Sequence, residues 1–203
     1  MATEHADIVD AERHEAKGAS TALAGRVLQA NGDGTTSFVV PSTLSNINIS
    51  SSIEAQSLAT QNPSAVDTPL QIVFGSGTSN SDVNVASNGI VTILTAGLYH
   101  VSYSLNFGRS NATGIATLFS RMLINDVPAG VVQSAKIDTS INVSPVSEAL
   151  IRSFAANDTI KVQIIRDSGG TNDGGLISLD PVLVAWTNSP SAYIRVQKIG
   201  GGA

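Results

Sequence analysis

The chain has 203 residues, 42% of them hydrophobic and only 13% charged, with no cysteine and a formal net charge of -5. That composition excludes a disulfide scaffold, cysteine-ligated zinc and thiol chemistry, and it is too poor in Glu and Lys for a coiled coil. The acidic balance runs against a nucleic-acid footprint, no apolar run approaches the ~18 residues of a membrane helix, and MATEHADIVD lacks the basic-then-apolar order of a secretory leader.

In chain order, residues 3–17 predict a short helix or turn, with Thr3 as N-cap, Glu4 and Asp7 near the N-terminus and Gly18 as the stop. NGDG at 31–34 marks a turn, and SFVVP reads as a strand ended by Pro41. No Lys or Arg occurs between Arg26 and Arg109. Residues 41–68 within that gap read as a polar linker or an extended arm, and the spaced Leu44, Ile47, Ile49, Ile53 and Leu58 favour an arm packed on a partner chain.

From residue 68 onward short apolar runs recur between Gly, Asn, Asp, Ser and Pro: LQIVF, VNV, IVTIL, LYHVSYSLNF, GIATLFSRMLI, VPAGVVQ, VSEALIRSF, IKVQIIR, LISLDPVLVAW and AYIRVQKI. About nine or ten strands at this spacing predict an all-β sandwich or barrel over 69–203. In LYHVSYSLNF, Leu98, His100, Ser102 and Ser104 share one face, and Tyr99, Val101, Tyr103, Leu105 and Phe107 the other. Asn125-Asp126 predicts a tight hairpin, and Pro181 weakens the start of its run as a strand.

Four pieces of 69–199 resemble the trimeric jelly roll shared by the globular heads of complement first component and tumour necrosis factor: AGLYHVSYSLNF, LFSRMLINDVPAG, ALIRSFAANDTIKVQII and SAYIRVQKIG. The chain departs from that pattern in lacking tryptophan and cysteine at the usual inner positions and a collagen-like stalk. The resemblance implies a jelly-roll β-sandwich that assembles as a homotrimer. Tyr99, Tyr103, Phe107, Tyr193, Ile194 and Val196, from its two aromatic-bearing strands, are the expected trimer interface. A second stretch, HEAKGASTALAGRVLQANGDGTTSF, is similar to the start of bacteriophage virion proteins through His14, Glu15, Lys17, Gly18, Ser20, Ala22, Asp33 and Gly34. It implies a virion-anchoring segment over 1–40, with Ile8, Val9, Arg13, His14, Lys17, Leu23, Val27 and Leu28 as capsid-docking residues.

Catalytic constellations are not evident. Asp10 and His14 read as an i,i+4 pair on a helix face, and His100 as a surface or interface histidine. There is no Gly-x-Ser-x-Gly elbow. GSGTSNSD reads as a loop rather than a phosphate cradle. DSGGTNDGG, 167–175, lacks the ligand spacing and terminal Glu of a calcium loop. Trp186 reads as a partly buried strand residue. The expectation is a non-enzymatic structural protein of a phage virion, a capsid decoration protein or short head fibre without cofactor or metal, docked on the capsid surface by its N-terminal segment and displaying a trimeric knob. Its partners would be two further copies of itself and the major capsid protein of a phage shell, with no nucleic acid and no membrane. The alternative is a tail fibre whose knob binds a host surface glycan or receptor through loops 76–82 and 167–175.

Overall fold

The computed structural model describes residues 26–39, 51–109, 114–138, 142–167, 174–182 and 185–201. The helix or turn expected at 3–17 and most of loop 167–175 lie outside them. The chain divides into two compact units, residues 1–47 and 48–203.

In the first unit, β1 (Val27–Ala30) and β2 (Thr36–Val39) pair antiparallel across the NGDG turn. Gly32 and Gly34 take φ of 81° and 86°, which suits residues without a Cβ. Asp33 accepts from the Thr35 amide at 2.9 Å and from its hydroxyl at 2.6 Å. These bonds, the hydroxyl's first, hold the Asp33 carboxyl below its usual pKa.

The second unit contains β3 (Ser51–Ser57), β4 (Leu70–Gln71), β5 (Thr78–Ser79), β6 (Val83–Val85), β7 (Val91–Ile93) and β8 (Gly97–Arg109). It continues with β9 (Ala116–Ile124), β10 (Val127–Ile137), β11 (Val143–Phe154), β12 (Thr159–Arg166), β13 (Gly174–Leu176) and β14 (Ala192–Gly201). One sheet runs β10-β9-β12-β7-β6-β5 with β4 also on β12, and the other runs β11-β8-β14-β3 with β13 also on β8. The eight principal strands pair as a nested set: β3 with β14, β7 with β12, β8 with β11, and β9 with β10. First with last, second with seventh, third with sixth and fourth with fifth is the connectivity of a jelly roll.

The core fills the space between the sheets. Tyr99, Val101, Tyr103, Leu105 and Phe107 of β8 and Ile194 and Val196 of β14 face Leu118, Met122, Ile160, Val162 and Ile164 of the other sheet. Each is 2% exposed or less.

Three local readings need correction. β3 lies inside the stretch read as a linker or arm, and its Ile53 and Ala55 bury in this chain's own core rather than on a partner, while Leu58 is exposed and Leu44, Ile47 and Ile49 lie outside the described residues. LQIVF pairs as a strand only over Leu70–Gln71. Ile72 and Phe74 still enter the core, but the Gln61 side chain donates to Val73 O at 2.9 Å and accepts from Val73 N at 2.8 Å, replacing a ladder neighbour. Among its described residues, LISLDPVLVAW contributes to a strand only at Leu176, the end of Gly174–Leu176. Asp180 Oδ1 accepts from Val182 N at 3.1 Å, turning the chain there.

The Asn125-Asp126 hairpin forms as expected, with φ of 50° and 64° at its two central residues, as a primed turn requires. Asn125 also donates to Asp158 Oδ1 at 2.8 Å and accepts from Thr159 N at 2.8 Å, tying the β9–β10 turn to the β11–β12 turn. Asn125→Ala should therefore destabilise the sandwich by about 1–3 kcal/mol, combining left-handed backbone cost with a lost amide partner. Urea unfolding followed by far-UV circular dichroism measures this, and a change under ~0.5 kcal/mol would contradict it.

Candidate functional site

Five of the six residues assigned to a trimer interface lie inside the sandwich. Tyr99, Tyr103, Phe107, Ile194 and Val196 are 0–2% exposed within a single chain. A lone sandwich has to fill its own interior, so the aromatic face of β8 is consumed there and has nothing left for a partner. Tyr193 alone of the six is on the outward face. Of the capsid-docking residues, Ile8, Val9, Arg13, His14, Lys17 and Leu23 fall outside the described residues. Val27 and Leu28 lie on β1, 47% and 45% exposed.

The outward face of the β11-β8-β14-β3 sheet is built in register rows. One row carries Gln56, Tyr193, Ser104 and Ser147; the next Glu54, Arg195, Ser102 and Ala149; the next Ser52, Gln197, His100 and Ile151. Short side chains at Ser102, Ser104, Ser147 and Ala149 leave the middle flat. Tyr193, His100 and Ile151, the last 63% exposed, surround it. The ion pair of Arg195 with Glu54 at 3.5 Å is at the β3 side of this face and well exposed, so it adds little. Partial burial, then the Glu54 carboxylate, raises the Tyr193 phenol, which stays neutral at physiological pH.

The other sheet carries a cleft of about 310 Å³ on its outward face. Its floor is two cross-strand pairs of β9 and β12, Phe119 opposite Ile165 and Arg121 opposite Gln163. One wall is a bulge in β10 between Ala129 and Gln133, which lifts Val131 and Val132 into solvent at 66% and 58% exposure. The opposite wall is the turn through Asp67 and Pro69 before β4, anchored by Asp67 N donating to Arg166 O at 2.8 Å.

Glu148 of β11 holds the bulge in place. Its Oε1 accepts from Val131 N at 2.5 Å, and its Oε2 accepts from the core Tyr103 hydroxyl at 3.0 Å. Gly130 is required beneath it: φ is 77°, and a Cβ would lie 1.9 Å from Glu148 Oε1. Burial, opposed by the Ser120 hydroxyl, raises the Tyr103 phenol strongly, so it remains a donor to Glu148.

A polar clasp closes one end of the sandwich. Asp82 accepts from Ser51 Oγ at 2.5 Å, from Thr95 Oγ1, and from Lys198 Nζ at 3.0 Å. It thereby joins β3, the loop before β6, the β7–β8 turn and β14. The Lys198 ammonium also lies 5.9 Å from the Tyr99 ring centroid. The Ser51 and Thr95 hydroxyls, then Lys198, hold the Asp82 carboxyl down at about 2 against the cost of burial.

No group of three or more His, Cys, Asp or Glu side chains is positioned to hold a metal ion among the described residues. His100 lies between Gln197 and Ile151 on the outward face, as expected of a surface histidine. Trp186 is not a strand residue: it is 72% exposed in the loop between β13 and β14. The strand has already ended at Leu176, and the chain turns at Asp180–Val182 before it reaches Trp186. The cleft and the clasp were missed in the sequence. For the cleft, the available signal was the adjacent apolar pair Leu118-Phe119, one of which a strand must turn outward; for the clasp, no single stretch of sequence carried one.

No family model matches the chain. No curated protein matches it. Among solved structures, it is similar to the crystal structure of murine APRIL at pH 5.0, with 10% identity over 72% of this chain and 97% of that one and a TM-score of 0.45.

Proposed function

We propose that this chain is a structural protein of a phage virion, with the N-terminal unit docking on the capsid shell and the jelly roll forming a homotrimeric knob. The observation that carries the assembly is the outward face of β11-β8-β14-β3. Its Ser/Ala middle is flat enough for another chain to approach closely, and Tyr193, His100 and Ile151 supply bulk around it. Side chains this short lose little conformational entropy on being covered. The N-terminal resemblance carries the capsid, and the exposed Val27 and Leu28 of β1 are the apolar contacts it would use. A two-stranded hairpin is marginal alone, which fits an element completed by its docking partner.

Sedimentation of the full chain at micromolar concentration should give a trimer. Tyr193→Glu should shift it toward monomer with an unchanged far-UV spectrum. Full-length protein should bind empty capsids of its phage, and the double substitution Val27→Asp with Leu28→Asp should abolish that binding without changing the trimer. A stable monomer at micromolar concentration would overturn the knob. Capsid binding that survives the β1 substitutions would overturn the docking role.

The alternative is receptor binding by a tail fibre. It is favoured by the β13–β14 loop, where Val182 and Trp186 are 90% and 72% exposed. That loop enters β14 at Ala192, paired with Ser57, whereas the chain enters β3 at Ser51, paired with Lys198. The apolar loop thus stands about 20 Å along the strands from the entry point. Binding to host cells, lost in Trp186→Ala, together with failure to bind capsids, would select this reading.

A further inference from the structure

We propose that the cleft on the β10-β9-β12-β4 face is a binding site for small organic carboxylates that carry an apolar body. The inference goes beyond the virion reading and does not depend on it.

The cleft is built rather than incidental. Its floor is two strands wide, and raised walls flank it, the β10 bulge on one side and the Asp67–Pro69 turn on the other. The bulge has its own support in Glu148 and Gly130, so the Val132 wall is fixed from the core outward. About 310 Å³ is at the small end of the range of ligand sites.

The chemistry of the lining names the ligand. Phe119, Ile165, Pro69 and Val132 offer apolar surface that exceeds what its few polar groups can cover. Arg121 supplies the charge. Gln163 Oε1 accepts from its Nε at 3.1 Å and its Nη2 at 2.9 Å, which fixes the guanidinium plane. That leaves the end-on edge, Nη1 with the second N–H of Nη2, without a partner among the described residues. This edge matches the two oxygens of a carboxylate. Lys161, the cation on the outward row of β12, is already paired with Asp126 at 2.6 Å. Asp67 on the rim disfavours a second negative charge and restricts the ligand to one carboxylate.

Phenylacetate is a suitable probe, because about ten non-hydrogen atoms give a Kd in roughly the millimolar range. Ligand-observed saturation-transfer NMR on the full chain should give a saturable isotherm. 2-Phenylethanol, which keeps the ring but not the charge, and glucuronate, which keeps the carboxylate but not the apolar body, should each bind about tenfold more weakly. Arg121→Gln should raise the phenylacetate Kd about tenfold. Val132→Asp, at a wall position 58% exposed and so harmless to folding, should do the same through repulsion. Non-saturable binding, glucuronate binding as tightly as phenylacetate, or an unchanged Kd in both variants would each overturn the assignment.

Discussion

Phe107→Ala is expected to lower the unfolding free energy by about 3–5 kcal/mol, whereas Tyr193→Ala, on the opposite face of the same sheet, should change the unfolding of the sandwich by under ~1 kcal/mol. Phe107 is 0% exposed and sits between the sheets beside Leu176 of β13, which pairs with it directly. Truncation removes a full aromatic ring from a space bounded by two hydrogen-bonded ladders, and those ladders cannot close over the gap. Tyr193→Ala removes only partly exposed surface, and in the proposed trimer its effect would fall on assembly. Urea unfolding should be followed by far-UV circular dichroism at one fixed protein concentration, since linked association shifts apparent stability. Tryptophan emission is a poor probe because Trp186 is 72% exposed in the folded chain. A Tyr193→Ala variant that unfolds as easily as Phe107→Ala would mean that the two faces have been assigned the wrong way round.

That pair also explains what was legible in the sequence. The alternation of LYHVSYSLNF marked β8 as a two-faced strand, and the all-β class and the Asn125-Asp126 hairpin followed from local chemistry. Alternation does not say which face is interior. The aromatic face of β8 reads equally well as a partner surface until the second layer is known to need it. β3 was hidden for a different reason. SSIEAQS has only Ile53 and Ala55 to bury, and its strand character comes from pairing with β14, 135 to 147 residues away along the chain. Ladder bonds at that separation leave no local pattern. In β9, Leu118 and Phe119 are adjacent and both apolar, so phase alone could not send Phe119 outward to the cleft floor. The β10 bulge depends on a carboxylate from another strand, which no window of sequence contains.

The Asp82 clasp makes an acid-sensitive contribution to stability. The carboxyl is held at about 2 in the folded chain against an ordinary 3.8. A carboxyl whose folded pKa is depressed contributes stability that is fully present above the unfolded value and is lost as pH falls through the folded one. The contribution should therefore be intact above about pH 4 and fade between about pH 4 and 2. It amounts to about 2 kcal/mol, with side chains of Asp82 and Lys198 only 13% and 18% exposed. Asp82→Asn keeps an acceptor for Ser51 and Thr95 but removes the titration, so its unfolding free energy should be nearly flat across that window.

Asp82→Ala is more severe. It strands the Lys198 ammonium beside Tyr99 and leaves the Ser51 and Thr95 hydroxyls without their acceptor, costing about 3 kcal/mol at neutral pH. Lys198→Met in the same chain removes the stranded charge and should recover part of that loss, because the penalty lies in the unpaired ion rather than in the missing bond. A double-mutant cycle in urea reads the coupling directly. If the two substitutions simply add, Lys198 is solvated independently of Asp82 and the clasp does not tie β14 to the loop before β6.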